Sequence, residues 1–276
     1  MPHLEGMIKS LLSALALFAT TATPIWAQSN DIIPATGEIL PGWVRSDGTR
    51  MAAVKITLEP GWKTYWRTPG DAGIPPQFDW SGSANLQGDI GIIWPTPEIQ
   101  KQNGMRTIGY SDEVVLPITV SPRRSGKPVK LRATVDIGVC KDICVPYQLK
   151  LAATLDSNST KPTPAIAAAL AARPYGAAEA GVSKATCALR PISDGLEIET
   201  RITLPAMGGR EVVVIEPGQP GVWMSETDTE RQGNVLIATG DMVPFDDKPL
   251  LIDRSDVIIT VLGPNQAVEI KGCTPG

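Results

Sequence analysis

Cys140 and Cys144 stand with three residues between them in VDIGVCKDICVPYQLKL, residues 135–151, a run that otherwise reads as β-structure. Two thiols this close can exchange with a partner's disulfide, close a small structural ring, or bind a metal with a further ligand. A disulfide needs Cα atoms about 4.4–6.8 Å apart. Residues i and i+4 of an extended strand lie about 13 Å apart. If the two are bonded, CKDIC must form a turn or a single helical turn, and Pro146 limits any continuing helix. Lys141 favours a thiolate beside it and Asp142 opposes one.

The chain has only two other cysteines, Cys187 and Cys273, so three pairings exist. A ring closed by Cys187–Cys273 spans most of the carboxy-terminal part and contributes about 4.6 kcal/mol in the chain-entropy model. A five-residue ring contributes about 2 kcal/mol. Cys187–Cys273 is therefore expected as a structural staple, whereas Cys140–Cys144 is a poor one. Spacing alone leaves a redox pair, a small structural bridge and a copper site open for it. A Cys-x3-Cys copper site wants a third soft or imidazole ligand, for which Met105 is a candidate. Zinc is disfavoured because the cysteines lack paired finger-like spacing.

The compartment decides what thiols can do. Residues 11–27, LLSALALFATTATPIWA, form an apolar run after Lys9 that ends in a small residue. That is the layout of a secretory signal, and it is diluted by Thr and Pro relative to a membrane span. Residues 1–27 are expected to be a signal peptide and the remainder to be exported, where disulfides persist. The chain's single histidine, His3, lies in that segment. An exported chain would have none, which excludes Ser-His-Asp and Cys-His constellations and histidine metal sites. A net charge of -4 argues against nucleic acid as the partner.

These side chains must be carried by β-structure. RMAAVKITL, GWKTYWR, EVVLPITV, VKLRATVDI and YQLKLAATL are short alternating runs punctuated by TPGDAGIPP and SPRRSGKP, which points to an antiparallel sandwich. In GWKTYWR the alternation sets Trp62, Thr64 and Trp66 on one face and Lys63, Tyr65 and Arg67 on the other. The tryptophans are the expected core. AIAAALAARP favours a short helix ended near Pro174. GLEIETRITL, REVVVIEP, NVLIATGDMV, PLLIDRSDVIITVLG and AVEIKGC read as further strands. The expected fold is all-β: one sandwich over 28–156, an Ala-rich linker with a short helix over 157–182, and a second sandwich over 183–276.

GWKTYWRTPGDAGIPPQFDW, IIWPTPE, GYSDEVVLPITV and VCKDICVPYQLKL occur in the order found in the amino-terminal periplasmic domain of the DsbD/ScsB group of thiol:disulfide interchange proteins. The chain resembles that family over about residues 35–155, and its two-part layout is most like the ScsB-type region with tandem immunoglobulin-like modules. The resemblance implies a periplasmic protein-disulfide reductase without cofactor or metal. Electrons would come from an integral membrane thiol carrier of the DsbD/CcdA kind, expected as a separate polypeptide. They would leave to a periplasmic thioredoxin-fold oxidoreductase, such as an isomerase or a copper-stress protein. The redox pair falls on Cys140 and Cys144, with Cys144 making the mixed disulfides. A shielding loop falls within residues 97–110, where Met105, Ile108 and Tyr110 are the apolar side chains available to cover the sulfurs. Lys63 stands where many relatives carry histidine, at little expected cost, because exchange needs thiolates and access. Two rivals remain: an immunoglobulin-like interaction module with purely structural disulfides, and a periplasmic copper-binding protein.

Overall fold

A computed structural model describes residues 33–276 except 71, 103, 157, 247 and 248; the expected signal segment lies outside the described residues. The first half is built from β1 (Ala35–Val44), β2 (Arg50–Leu58), β3 (Lys63–Tyr65), β4 (Gln77–Asp79), β5 (Gly91–Ile92), β6 (Glu98–Gln102), β7 (Met105–Ser111), β8 (Glu113–Val120), β9 (Val129–Cys140) and β10 (Cys144–Leu155). One sheet runs β1-β2-β8-β5 and the facing sheet β10-β9-β3-β7-β6, with β4 also on β9. Alternation buries Val54, Ile56, Leu116, Ile118, Leu131, Val135 and Ile137 between them, together with Trp66, which has no exposed surface.

Helix α1 (Pro164–Ala171) follows, with proline in its first turn, where no amide hydrogen is needed. Its Ile166 is fully buried against Met51 and Ala53 on the outer face of the first sheet. The second half comprises β11 (Tyr175–Gly176), β12 (Lys184–Pro191), β13 (Leu196–Thr203), β14 (Val212–Glu216), β15 (Val222–Met224), β16 (Asp228–Gln232), β17 (Val235–Pro244), β18 (Ile258–Leu262), β19 (Ala267–Lys271) and β20 (Thr274–Pro275). They form the sheets β11-β19-β18-β14 and β15-β17-β13-β12-β20, with β16 also on β17. The fold is thus two immunoglobulin-like β-sandwiches joined through a short Ala-rich helix.

Three details depart from the expected elements. The pairs β11–β19 and β12–β20 are parallel, contributed by short segments at the linker and the carboxy terminus. Only Ile258–Leu262 of PLLIDRSDVIITVLG is strand; Asp253 accepts hydrogen bonds from the Ser255 amide and hydroxyl and holds the preceding stretch in a turn. Residues 97–110, expected as a loop, contain the hairpin β6–β7, in register from Glu98↔Gly109 to Gln102↔Met105 and turned by Gly104 at φ 83°.

The two sandwiches pack as one compact unit. Val212, Val214, Leu262 and Ala267 of the second continue the apolar core of the first. Polar ties flank them: Arg67 to Glu216 and Glu269, and Arg106 to Glu226 at 2.8 Å.

Candidate functional site: a dicysteine hairpin under a tyrosine

β9 and β10 form a long ribbon in unbroken antiparallel register from Leu155↔Val129 to Cys144↔Cys140. Lys141, Asp142 and Ile143 make the turn, closed by the Lys141 amide donating to the Ile143 carbonyl. The two cysteines are therefore cross-strand neighbours at the ribbon's end, bonded to each other with Cα atoms 4.1 Å apart. The turn required by their spacing is a β-hairpin turn. The Lys141 ammonium donates to the Pro60 carbonyl at 3.3 Å, which ties this turn to the one before β3.

The two cysteines are not equivalent. Cys140 has no exposed surface, whereas Cys144 is exposed and follows Ile143, which is 67% exposed. An attacking group can thus reach Cys144, and an apolar side chain projects beside it.

Tyr65 is the residue whose part in the site the sequence did not disclose. Its hydroxyl lies 2.5 Å from Cys140 Sγ and 3.1 Å from Cys144 Sγ. β3 lies beside β9 with Lys63 opposite Cys140 and Thr64 opposite Val139, and the Thr64 hydroxyl donates to the Gly138 carbonyl at 2.9 Å. Gly138 makes room for the ring: a Cβ there would come within 2.9 Å of two Tyr65 ring carbons and 2.6 Å of Ile74 Cβ. A side chain at 138, on the same face as Cys140, would displace both. Tyr65 is only 2% exposed. Burial raises its phenol above the usual range, so it stays protonated and able to donate at neutral pH. The alternation that turns Trp66 into the core sends Tyr65 to the sulfurs and Arg67 to the second sandwich. A signal existed in that alternating face, but not in the partner it would meet.

The three side chains expected to shield the pair are placed differently. Ile108 and Tyr110 are buried in the sandwich core, and the Tyr110 hydroxyl donates to the Pro95 carbonyl at 2.8 Å. Met105 is 47% exposed. The strand register sets Ser111, Lys63 and Cys140 in one row across the sheet. Met105 lies six residues before Ser111 in β7, about 20 Å along a strand. The hairpin turns back away from the sulfurs because its backbone pairs into the sheet, and Arg106 ties it to the second sandwich. Tyr65 is the side chain that lies against both sulfurs. At that separation Met105 is also no third ligand for the two cysteines. Among the described residues no group of three or more His, Cys, Asp or Glu side chains stands together.

Cys187 and Cys273 are bonded with Cα atoms 5.7 Å apart. Cys187 is fully buried in the second core, and the bridge joins β12 to the segment before β20. A cleft of about 670 Å³ lies between the sandwiches, walled by Arg67, Pro75, Val214, Trp223 and Phe245. It contains none of the four cysteines.

Residues 30–156, a little under half of the chain, match the model of the family "Thiol:disulfide interchange protein DsbD, N-terminal". The whole fold is similar to the crystal structure of the N-terminal periplasmic domain of ScsB from Proteus mirabilis, with TM-score 0.61 and 23% identity over 88% of this chain and 92% of that one. The N-terminal domain of Neisseria meningitidis DsbD in the reduced form aligns at 16% identity and TM-score 0.25, over 45% of this chain and 90% of that one. No curated protein sequence matches. Among the described residues no helix is long and apolar enough to cross a membrane.

Proposed function

We propose that the chain is a periplasmic thiol:disulfide interchange protein that relays electrons through Cys140 and Cys144. The observation that carries this reading is the asymmetry of the pair: an exposed Cys144 bonded to a fully buried Cys140. A structural bridge gains nothing from an exposed sulfur, whereas exchange needs one reachable sulfur and one protected leaving group.

The steps balance as follows. A thiolate of the membrane carrier attacks Cys144 Sγ, forms a mixed disulfide and releases the Cys140 thiolate. The carrier's second thiolate attacks its own sulfur in that mixed disulfide and releases the Cys144 thiolate. The carrier leaves oxidised, and this chain keeps two electrons and takes up two protons. Cys144 then attacks the disulfide of a thioredoxin-fold acceptor, and Cys140 resolves that mixed disulfide and restores the starting bond. Tyr65 donates a hydrogen bond to the sulfur that carries charge. Ile143 gives a docking partner an apolar contact beside the reacting atom.

Trapping tests the assignment. Cys140→Ser, which keeps the attacking thiol, is expected to accumulate a covalent complex with a thioredoxin-fold protein in periplasm. Cys144→Ser is expected to accumulate far less. Equal trapping by both, or none by either, refutes the roles.

A further inference from the structure

The second sandwich carries no thiol that reaches the exchange site, yet it grips the strand that does. Arg67 lies two residues beyond Tyr65, on the same side of the same extended run. Its Nε donates to Glu216 at 2.9 Å, and its Nη2 donates to Glu216 at 2.8 Å and to Glu269 at 2.7 Å. Glu216 ends β14 and Glu269 lies in β19, two strands of one sheet with β18 between them. One guanidinium therefore spans two fixed points of the second sandwich in a geometry only arginine supplies. Its side chain is 19% exposed, as is that of Glu216, so solvent screens the contact little.

The run between these anchors is short. Thr64 is held to Gly138 by its hydroxyl, Tyr65 follows, Trp66 is buried in the core, and Arg67 is clamped. Beyond Arg67 the chain leaves β9 in a bend before β4 rejoins it. On the far side of Tyr65 the strand end is held within its own sandwich by the Trp66 amide donating to the Ile108 carbonyl at 3.0 Å and the Ile108 amide donating to the Pro69 carbonyl at 2.9 Å, and the Arg67 clamp adds the tie to the second sandwich. A phenol reaching two sulfurs at hydrogen-bond distance is sensitive to displacements of a few tenths of an ångström.

We propose that Arg67 is a positioning residue: through Glu216 and Glu269, the second sandwich holds the Tyr65 hydroxyl on the Cys140–Cys144 sulfurs and thereby tunes their reactivity. This rests on the exchange reading above. It gives the second sandwich a part in the chemistry without contact with the reacting atoms.

The test is a double-mutant cycle in the full chain, using Arg67→Ala, Tyr65→Phe and their combination, with Arg67→Lys and Glu269→Gln as milder variants. Two quantities are read: the equilibrium constant of the pair against glutathione, and the pH midpoint of Cys144 alkylation in the reduced protein. Arg67→Ala is expected to shift the constant at least threefold in the same direction as Tyr65→Phe, and to add nothing once Tyr65 is phenylalanine. Glu269→Gln leaves the Glu216 contacts intact and is expected to give a smaller shift of the same sign. It keeps the test decisive if Arg67→Ala fails to fold. Arg67→Lys is expected to restore part of the effect. Unchanged constant and midpoint in the folded variants, whatever happens to thermal stability, overturn the proposal. Equal shifts with and without the Tyr65 hydroxyl do so as well. A parent pair that exchanges with no thiol at all would instead sink the functional reading, and this proposal with it.

Discussion

Tyr65→Phe removes one oxygen and keeps the ring that fills the space above Gly138. In the oxidised protein that hydroxyl meets neutral sulfur, where a hydrogen bond is worth about 0.5–1.5 kcal/mol. In the reduced protein it meets a thiolate, and hydrogen bonds to charged groups are worth about 1.5–3 kcal/mol. Removal therefore penalises the reduced state by about 1–2 kcal/mol more than the oxidised one. For a two-electron couple this corresponds to a potential lower by about 20–40 mV, or a pH–rate midpoint higher by about one unit. The sign is fixed by the donor: the variant pair becomes harder to reduce. The effect is full where the thiolate is populated and fades as falling pH protonates it. Equilibration with glutathione mixtures at several pH values, acid quenching and mass spectrometry of alkylated thiols would measure it. A potential unchanged at every pH would refute the claim that the phenol acts on the sulfurs, and a higher potential would mean that it favours the disulfide.

Graded dithiothreitol is expected to open Cys140–Cys144 before Cys187–Cys273, because Cys144 is exposed while Cys187 is fully buried; alkylation order by mass spectrometry checks this, and reversed order supports purely structural bridges. Cys187→Ala with Cys273→Ala is expected to cost roughly 2–5 kcal/mol and to leave exchange at Cys144 in place, as read by denaturation and a disulfide-exchange assay. Replacing the β6–β7 turn with a Gly-Ser link is expected to leave attack by small disulfides on the reduced pair unchanged, whereas Tyr65→Ala accelerates it; a strong acceleration by the turn replacement would reinstate the hairpin as the shield.

That pairing of the cysteines requires a turn or a single helical turn was legible from two distances, because cysteines four apart on an extended strand cannot bond; that the turn is a β-hairpin was not. The core face of GWKTYWR was equally legible from its alternation. What lay opposite Tyr65 was not. Its contacts with Cys140 and Cys144 join residues 75 and 79 apart in sequence, and no local periodicity records which strand becomes its neighbour. The stretch from 97 to 110 misled for a related reason. Lys101, Gln102, Asn103, Gly104 and Gly109 read as loop residues, but an edge hairpin is held by backbone bonds that do not depend on apolar side chains. Arg67 could be placed only on the face opposite the tryptophans, because its partners, Glu216 and Glu269, belong to the other sandwich.

The register of the β9–β10 ribbon has a consequence for turnover. Cys140 and Cys144 already face each other because twelve consecutive cross-strand pairs, ending with their own, hold them there. Breaking the sulfur–sulfur bond removes none of the backbone bonds below it. The two oxidation states can thus share one backbone, and little reorganisation energy is spent in passing between them. On the proposed relay reading the ribbon is a stiff mount on which two electrons are loaded and unloaded, and folding feels the redox state only through the about 2 kcal/mol that so small a ring contributes.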